Sequence, residues 1–169
     1  MAVPDMRSQT ARATLAALAT KYFRPTDTLI EVGSWTGESA VIFAEYVTRV
    51  ICIDSWHINI TSVWDCTIED VHNIFVDYTR DNPKISTLRM LSVDAAALFA
   101  DHSADVIYID TTHKYEVVSS DIAAWRSKAR RVLCGHDYKP RFPGCIRAVD
   151  EAFGKPDEVF PDSSWVKVL

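Results

Sequence analysis

The sequence has no surplus of positive charge: 18 Lys and Arg stand against 23 Asp and Glu, a net charge of −5 at pH 7. Nucleic-acid surfaces are built from clustered Lys and Arg, and no dense basic cluster occurs, so no nucleic acid is expected as a partner. No apolar run approaches the ~20 residues that a spanning helix needs, so no membrane partner is expected either. Cysteine is sparse, with four residues (Cys52, Cys66, Cys134 and Cys145) and no C-x-x-C pair among them. Cys52 and Cys134 sit inside apolar runs, where a free thiol packs as a small hydrophobe. Reduced cysteines and a cytoplasmic location are the expectation. Repeats, low-complexity tracts and a linker able to divide two domains are also lacking. The 169 residues therefore read as a single domain. Its expected parts are an N-terminal covering helix (1–25), a ligand-binding core (28–154) and a terminal hairpin (157–169).

What is present is an alternation of strand-like apolar runs with helix-period segments, which predicts an α/β fold: a mostly parallel twisted sheet with helices on both faces. The spacing predicts helices over Met6–Tyr22, Gly37–Tyr46, Asp65–Arg80, Asp94–Phe99, Tyr115–Lys128 and Cys145–Phe153. It predicts strands over Thr28–Val32, Arg49–Asp54, Ile85–Leu91, Asp105–Asp110 and Arg131–Cys134. A C-terminal antiparallel hairpin pairs Glu158–Phe160 with Trp165–Leu169. Ala13–Ala19 imitates the apolar core of a signal peptide, but Arg7, Arg12 and Lys21 fit a surface helix that covers the strand after it.

In open α/β sheets ligands bind beyond the carboxyl ends of the strands, where strand order reverses. The residues that close each apolar run are polar here: Gly33-Ser34, Asp54-Ser55, Ser92–Asp94, Asp110 and His136-Asp137. Five such endings in register indicate one ligand site. Between strand one and its helix lies EVGSWTGES, with Gly33 permitting a tight turn and Gly37 letting the helix start close to a ligand. The spacing is G-x-x-x-G and not the G-x-G-x-x-G that cradles a pyrophosphate, which favours a ligand without a diphosphate. Asp54, 21 positions after Gly33, is placed to accept from ribose hydroxyls. Together they indicate a nucleoside and leave open whether it belongs to a dinucleotide or to a smaller adenosyl cofactor. Asp110 and Asp137 end neighbouring strands, about 5 Å apart, and with an imidazole they suit a hard divalent cation or a carboxylate base.

The stretches EVGSWTGES, ICIDSW, DVIYIDTTHKYEVVSSDIAAW, VLCGHDY and CIRAVDEAF resemble class I S-adenosylmethionine-dependent methyltransferases, of the group with cephalosporin-hydroxylase-like and macrolide-sugar O-methyltransferase-like proteins. The likeness runs from about Leu29 to Phe153. It implies the Rossmann-like methyltransferase fold, with Glu31, Gly33, Ser34, Trp35 and Gly37 around the cofactor's amino-acid end. It further implies Asp54 and Ser55 at the ribose, Asp94 and Ala95 at the adenine, and Asp110 in contact with the cofactor. In metal-using relatives the counterparts of Asp110, His136 and Asp137 hold Mg2+ or another divalent cation. His136 stands where those relatives carry an acid, and Thr111 and Thr112 replace the Gly and Asp of I-D-G-D-H. His113 is kept and is the preferred general base, with Asp110 beside it as the second catalytic residue.

The expected activity is O-methylation of a small hydroxylated substrate by His113, or by a cation on Asp110 and Asp137 that lowers the hydroxyl pKa. Two other readings share the same motifs: a non-catalytic nucleoside-binding module, and an NAD-dependent oxidoreductase, against which the missing third glycine counts. Trp35 and Trp56 read as lining of the cofactor pocket or, with more weight from the residues alone, as packing; Trp125 reads as core beside Ile122. Lys139 and Arg141 read as an attraction for an anionic substrate or, with more weight, as a solvated loop. So short a chain leaves little room for a lid, so the site is open, completed by a second subunit, or used on a bulky acceptor; a homodimer through a sheet edge or the N-terminal helix is one option among these.

Overall fold

The structure, a computed structural model, describes residues 8–57 and 67–169. The starts expected at Met6 and Asp65, together with Arg7 and Cys66, lie outside them. Among the described residues seven strands form one sheet: β1 (Thr28–Val32), β2 (Arg49–Asp54), β3 (Ile85–Arg89), β4 (Ala104–Ile109), β5 (Ala129–Gly135), β6 (Glu158–Val159) and β7 (Trp165–Val168). Their order is β3-β2-β1-β4-β5-β7-β6. The first five run parallel, while β7 runs antiparallel to both β5 and β6. This is the Rossmann-like methyltransferase arrangement with its C-terminal hairpin. Strand order reverses between β1 and β4, which fixes where a ligand crevice opens.

Both faces of the sheet are buried because successive side chains point opposite ways. Leu29, Cys52, Val106, Tyr108 and Cys134 join one core layer, under α1 (Gln9–Tyr22), α2 (Glu38–Ala44) and α3 (Ile68–Thr79). Ile30, Val32, Ile107, Ile109 and Leu133 face the other, under α4 (Ser92–Ala96), α5 (Tyr115–Trp125) and α6 (Pro143–Phe153). The Ala-rich N-terminal segment is indeed a helix over the sheet, with Leu15, Leu18 and Ala19 fully buried. Trp125 is core and donates its indole N–H to Ser92 Oγ at 2.9 Å.

Helix starts follow capping chemistry. Ser8 caps α1 by accepting from the Ala11 N–H, and Thr67 with Asp70 forms a reciprocal capping box at α3. Expected boundaries shift in four elements for identifiable reasons. Helix α6 starts at Pro143, two residues before Cys145, because proline at the first turn lacks an N–H that would go unbonded there anyway. Helix α4 starts at Ser92 and closes by Ala96, its next amides bonding only three residues back. Helix α5 stops at Trp125 and tightens into a 3-10 turn over Arg126–Lys128. Strand β5 therefore begins at Ala129 and not Arg131, pairing Ala129 with Ala104.

Phe43 links the α-helical layer to the sheet, with ring centroids 5.4 Å from Phe23 and 4.9 Å from Tyr108. Phe43→Ala leaves a cavity in a fully buried site and is expected to cost about 3–5 kcal/mol in urea unfolding.

Candidate functional site

The parallel register brings five strand ends to one edge of the sheet. The Gly33 N–H donates to the Ile53 carbonyl at 2.8 Å, the Asp110 N–H to the Val32 carbonyl at 2.8 Å, and the His136 N–H to the Ile109 carbonyl at 3.1 Å. Gly33 has φ +91°, and a Cβ there would lie 2.2 Å from the Asp110 carbonyl oxygen. The close approach this glycine permits is thus to the backbone of the neighbouring strand end.

Asp54 ties the next two turns together. Its Oδ2 accepts from the Trp35 N–H at 3.0 Å and its Oδ1 from the Trp56 N–H at 2.8 Å, while the Trp56 indole N–H donates to the Trp35 carbonyl at 2.9 Å. Burial pushes the Asp54 carboxyl up, against the downward pull of the Trp56, Trp35 and Ser55 amides. Trp35 and Trp56 hold left-handed backbones, φ +47° and +42°, and Asp137 a third at φ +66°. Such strain in non-glycine residues gathers where the surroundings over-determine the geometry, and all three residues border the same cavity.

That cavity has a volume of about 920 Å³, at the upper end of the ~300–1,000 Å³ usual for small-molecule sites. Gly33, Ser34, Trp35, Asp54, Ser55, Asp94, Asp110, His113, His136 and Asp137 all line it. Glu31, Gly37 and Ala95 stand behind the lining. Glu31 is fully buried in β1 and accepts from the Cys52 thiol at 3.7 Å. Gly37, φ +82°, faces α3, where a Cβ would meet Thr79 and Phe75 at 2.8 and 2.9 Å. Ala95 is core on α4. Trp56 both packs on Phe75, ring centroids 4.8 Å apart, and contributes to the cavity wall.

At the β4–β5 end the charges converge on Asp137. Its Oδ2 lies 2.7 Å from His113 Nδ1, and its Oδ1 lies 3.1 Å from His136 Nδ1 and 2.8 Å from Lys139 Nζ. Burial works to raise the Asp137 carboxyl, but hydrogen bonds from His136 and Lys139 and the imidazole charges prevail and hold it well below the usual carboxylate range. His113 stacks on Phe142, centroids 3.7 Å apart and planes at 15°, with half of its side chain exposed to the cavity. Asp110, His136 and Asp137 do come together, each offering a ligand atom within 4.8 Å of the others. Lys139, read from sequence as a solvated side chain, instead lies on Asp137 and over the Phe142 ring at 4.9 Å. Thr111 turns its hydroxyl to the buried Asp121 at 2.7 Å.

The pairing of His113 with Asp137 was not legible in the sequence, where the family resemblance set Asp137 with Asp110 and His136 as ion ligands. Phe142, and Asp162 with Oδ2 3.9 Å from His136 Nε2, were also missed. Only adjacency carried a signal: Ile109 pairs with Gly135, so the segments after β4 and β5 must share one mouth.

Comparison with known proteins agrees with this architecture. The family described as "Methyltransferase domain" matches residues 30–138, and the chain belongs to it. Its fold is that of S-adenosylmethionine-dependent methyltransferases. A protein from Corynebacterium glutamicum superposes with a TM-score of 0.66 at 14% identity, over 94% of this chain and 80% of that one. The cofactor-bound Rv0187 from MTB gives 0.64 at 14% identity, over 99% and 83%. Spermidine synthase from Thermotoga maritima gives 0.61 at 14% identity, over 93% and 57%. The chain spans about half the length of some of these neighbours, 50% of YcgJ from Bacillus for one. No curated protein matches the sequence.

A carboxylate held low in the folded state adds stability above its unfolded pKa of ~3.9, and that stability is lost as the pH falls through the lower folded value. Asp137→Asn is therefore expected to be less stable than the parent by roughly 2 kcal/mol near neutral pH, the scale of a hydrogen bond to a charged group. Urea titrations of both proteins should show that gap closing as the pH is lowered below ~4.

Proposed function

We propose that this chain transfers a methyl group from S-adenosylmethionine to an oxygen of a small hydroxylated acceptor, with His113 as the general base. The observation that carries the reading is the His113–Asp137 pair at 2.7 Å on the floor supplied by Phe142. A proton on Nδ1, directed at Asp137, leaves Nε2 as the acceptor, and the carboxylate steadies the imidazolium that forms.

The cofactor end of the cavity fits an adenosyl group by its chemistry. The Asp54 oxygens accept from the Trp35, Trp56 and Ser55 N–H groups, fewer than their lone pairs, which leaves acceptor capacity for ribose hydroxyls. The apolar Leu91 and Val93 offer a surface for a flat base. When bound, S-adenosylmethionine supplies a methyl group on a cationic sulfur whose departure needs no acid. His113 Nε2 then takes the hydroxyl proton as the acceptor oxygen closes on the methyl carbon, and the walls hold the two about 3 Å apart. Resemblance of the I-D-x-x-H-x-Y-E segment to the macrolide-sugar O-methyltransferase group supports oxygen over nitrogen as the acceptor. The free, buried Cys52, Cys134 and Cys145 suit the cytoplasmic setting. Among the described residues no helix is long and apolar enough to cross a membrane.

A binding-only module has no need of an oriented imidazole, and the G-x-G-x-x-G turn that an NAD-dependent oxidoreductase uses for the diphosphate is not present after β1, where the spacing is G-x-x-x-G. Calorimetry should find binding of S-adenosylmethionine and its demethylated product, no binding of NAD, and a loss of ~10-fold or more in affinity in Asp54→Ala, the scale of one lost charge-assisted bond. His113→Ala should keep cofactor affinity yet lower turnover on a panel of hydroxyl compounds by ~10²–10⁴-fold. Combining it with Asp137→Asn should add little further loss, because the two act as one unit. Unchanged turnover in His113→Ala would remove the base.

A further inference from the structure

We infer that Lys139 is the resident cation of this site, so that the Asp110–His136–Asp137 cluster does not take a divalent ion and the transfer proceeds without one. Three donor atoms within 4.8 Å are enough to suggest an ion site, but what occupies their lone pairs decides the matter. Asp137 Oδ1 already meets the Lys139 ammonium at 2.8 Å and His136 Nδ1 at 3.1 Å, and Oδ2 meets His113 Nδ1 at 2.7 Å. A hard divalent ion must come within ~2.0–2.6 Å of a carboxylate oxygen. At Oδ1 it would meet the ammonium, a like charge at contact range in a partly buried setting.

The imidazole of His136 adds a second obstacle. Its Nδ1 faces Asp137 and, at 3.8 Å, Asp110, which calls for a proton on that nitrogen, whereas a metal ligand needs a bare lone pair there. Its Nε2 faces Asp162 at 3.9 Å, on the side of the terminal hairpin. Hard cations also prefer oxygen, and a nitrogen replaces one of three oxygens. Lys139 is fixed rather than passing. The Asp137 carbonyl accepts from its backbone N–H at 2.8 Å, and its head lies 4.9 Å above the Phe142 ring.

The inference rests on the methyl-transfer reading for its second half only. In that step the acceptor's lone pair forms the C–O bond, the C–S pair stays on sulfur, and the proton goes to His113. The balance is complete with no metal. Lys139 acts as a positioning residue: it neutralises part of the acidic cluster and leaves Asp137 oriented toward His113.

The test is a Mn2+ titration of the full chain, read by electron paramagnetic resonance, with demethylated cofactor titrated into the same samples. The parent and Lys139→Arg should bind no Mn2+. The double variant Lys139→Ala with His136→Asp, which removes the ammonium and restores a third carboxylate, should gain at least ~10-fold in Mn2+ affinity. It should also show a rise in Tm with Mn2+. Mn2+ binding by the parent that disappears in Asp110→Asn overturns the inference. Equal binding, strong or nil, in parent and double variant also overturns it. Failure of the demethylated cofactor to bind, with the Mn2+ pattern as expected, removes the methyl-transfer reading and leaves Lys139 as the resident cation.

Discussion

The site depends on two backbones passing at a distance that only glycine allows. At the end of β1 the chain turns across the end of β4 at Gly33, where a Cβ would sit 2.2 Å from the Asp110 carbonyl oxygen. Because nothing intervenes, the amides of Gly33 and Asp110 continue the ladder one residue past each strand. The turn after β1 then lies beside that after β2, close enough for Asp54 to hold Trp35 and Trp56 in left-handed backbones. A side chain at position 33 would push the strand ends apart and open the crevice between them. The main-chain strain of the two tryptophans, of order 1–3 kcal/mol each, is offset by bonds to one partly buried carboxylate.

Charge organises the other half of the cavity. Asp137 is nearly buried, yet three cationic or protonatable side chains converge on it, so its negative charge is preferred despite the cost of burial. The consequence is directional. One oxygen meets His113 and the other meets His136 and Lys139, so a single carboxylate orients side chains on two sides of the cavity. The C-terminal hairpin contributes as well. Trp165 packs where Gly135 has no side chain, with its ring 2.9 Å from a would-be Cβ, and the turn before it delivers Asp162 to the far side of His136.

Much of this was legible in the residues. Continuous apolar runs such as VICID and DVIYI state a doubly covered parallel strand, and the polar residue that ends each run states the binding edge. Gly33, Asp54, Asp110, His136 and Asp137 were found that way and His113 through the family resemblance, and all border the cavity. Glu31, Gly37 and Ala95 came from motif membership. The structure sets them behind the wall because strand alternation turns Glu31 into a core layer, helix packing against Phe75 and Thr79 takes the open side of Gly37, and the inward face of α4 takes Ala95.

The sequence by itself determined the α/β layering, the place of the crevice and the residue types that meet there, because hydrophobic period and strand-end polarity are local properties of the chain. It did not determine who pairs with whom. His113 with Asp137, Lys139 on the same carboxylate and Phe142 beneath the imidazole are contacts between separate loops, set by strand register and by the left-handed backbone of Asp137. Hydrogen bonds and charges act over a few ångströms, and no spacing along the chain fixes distances that small between segments joined only through the sheet.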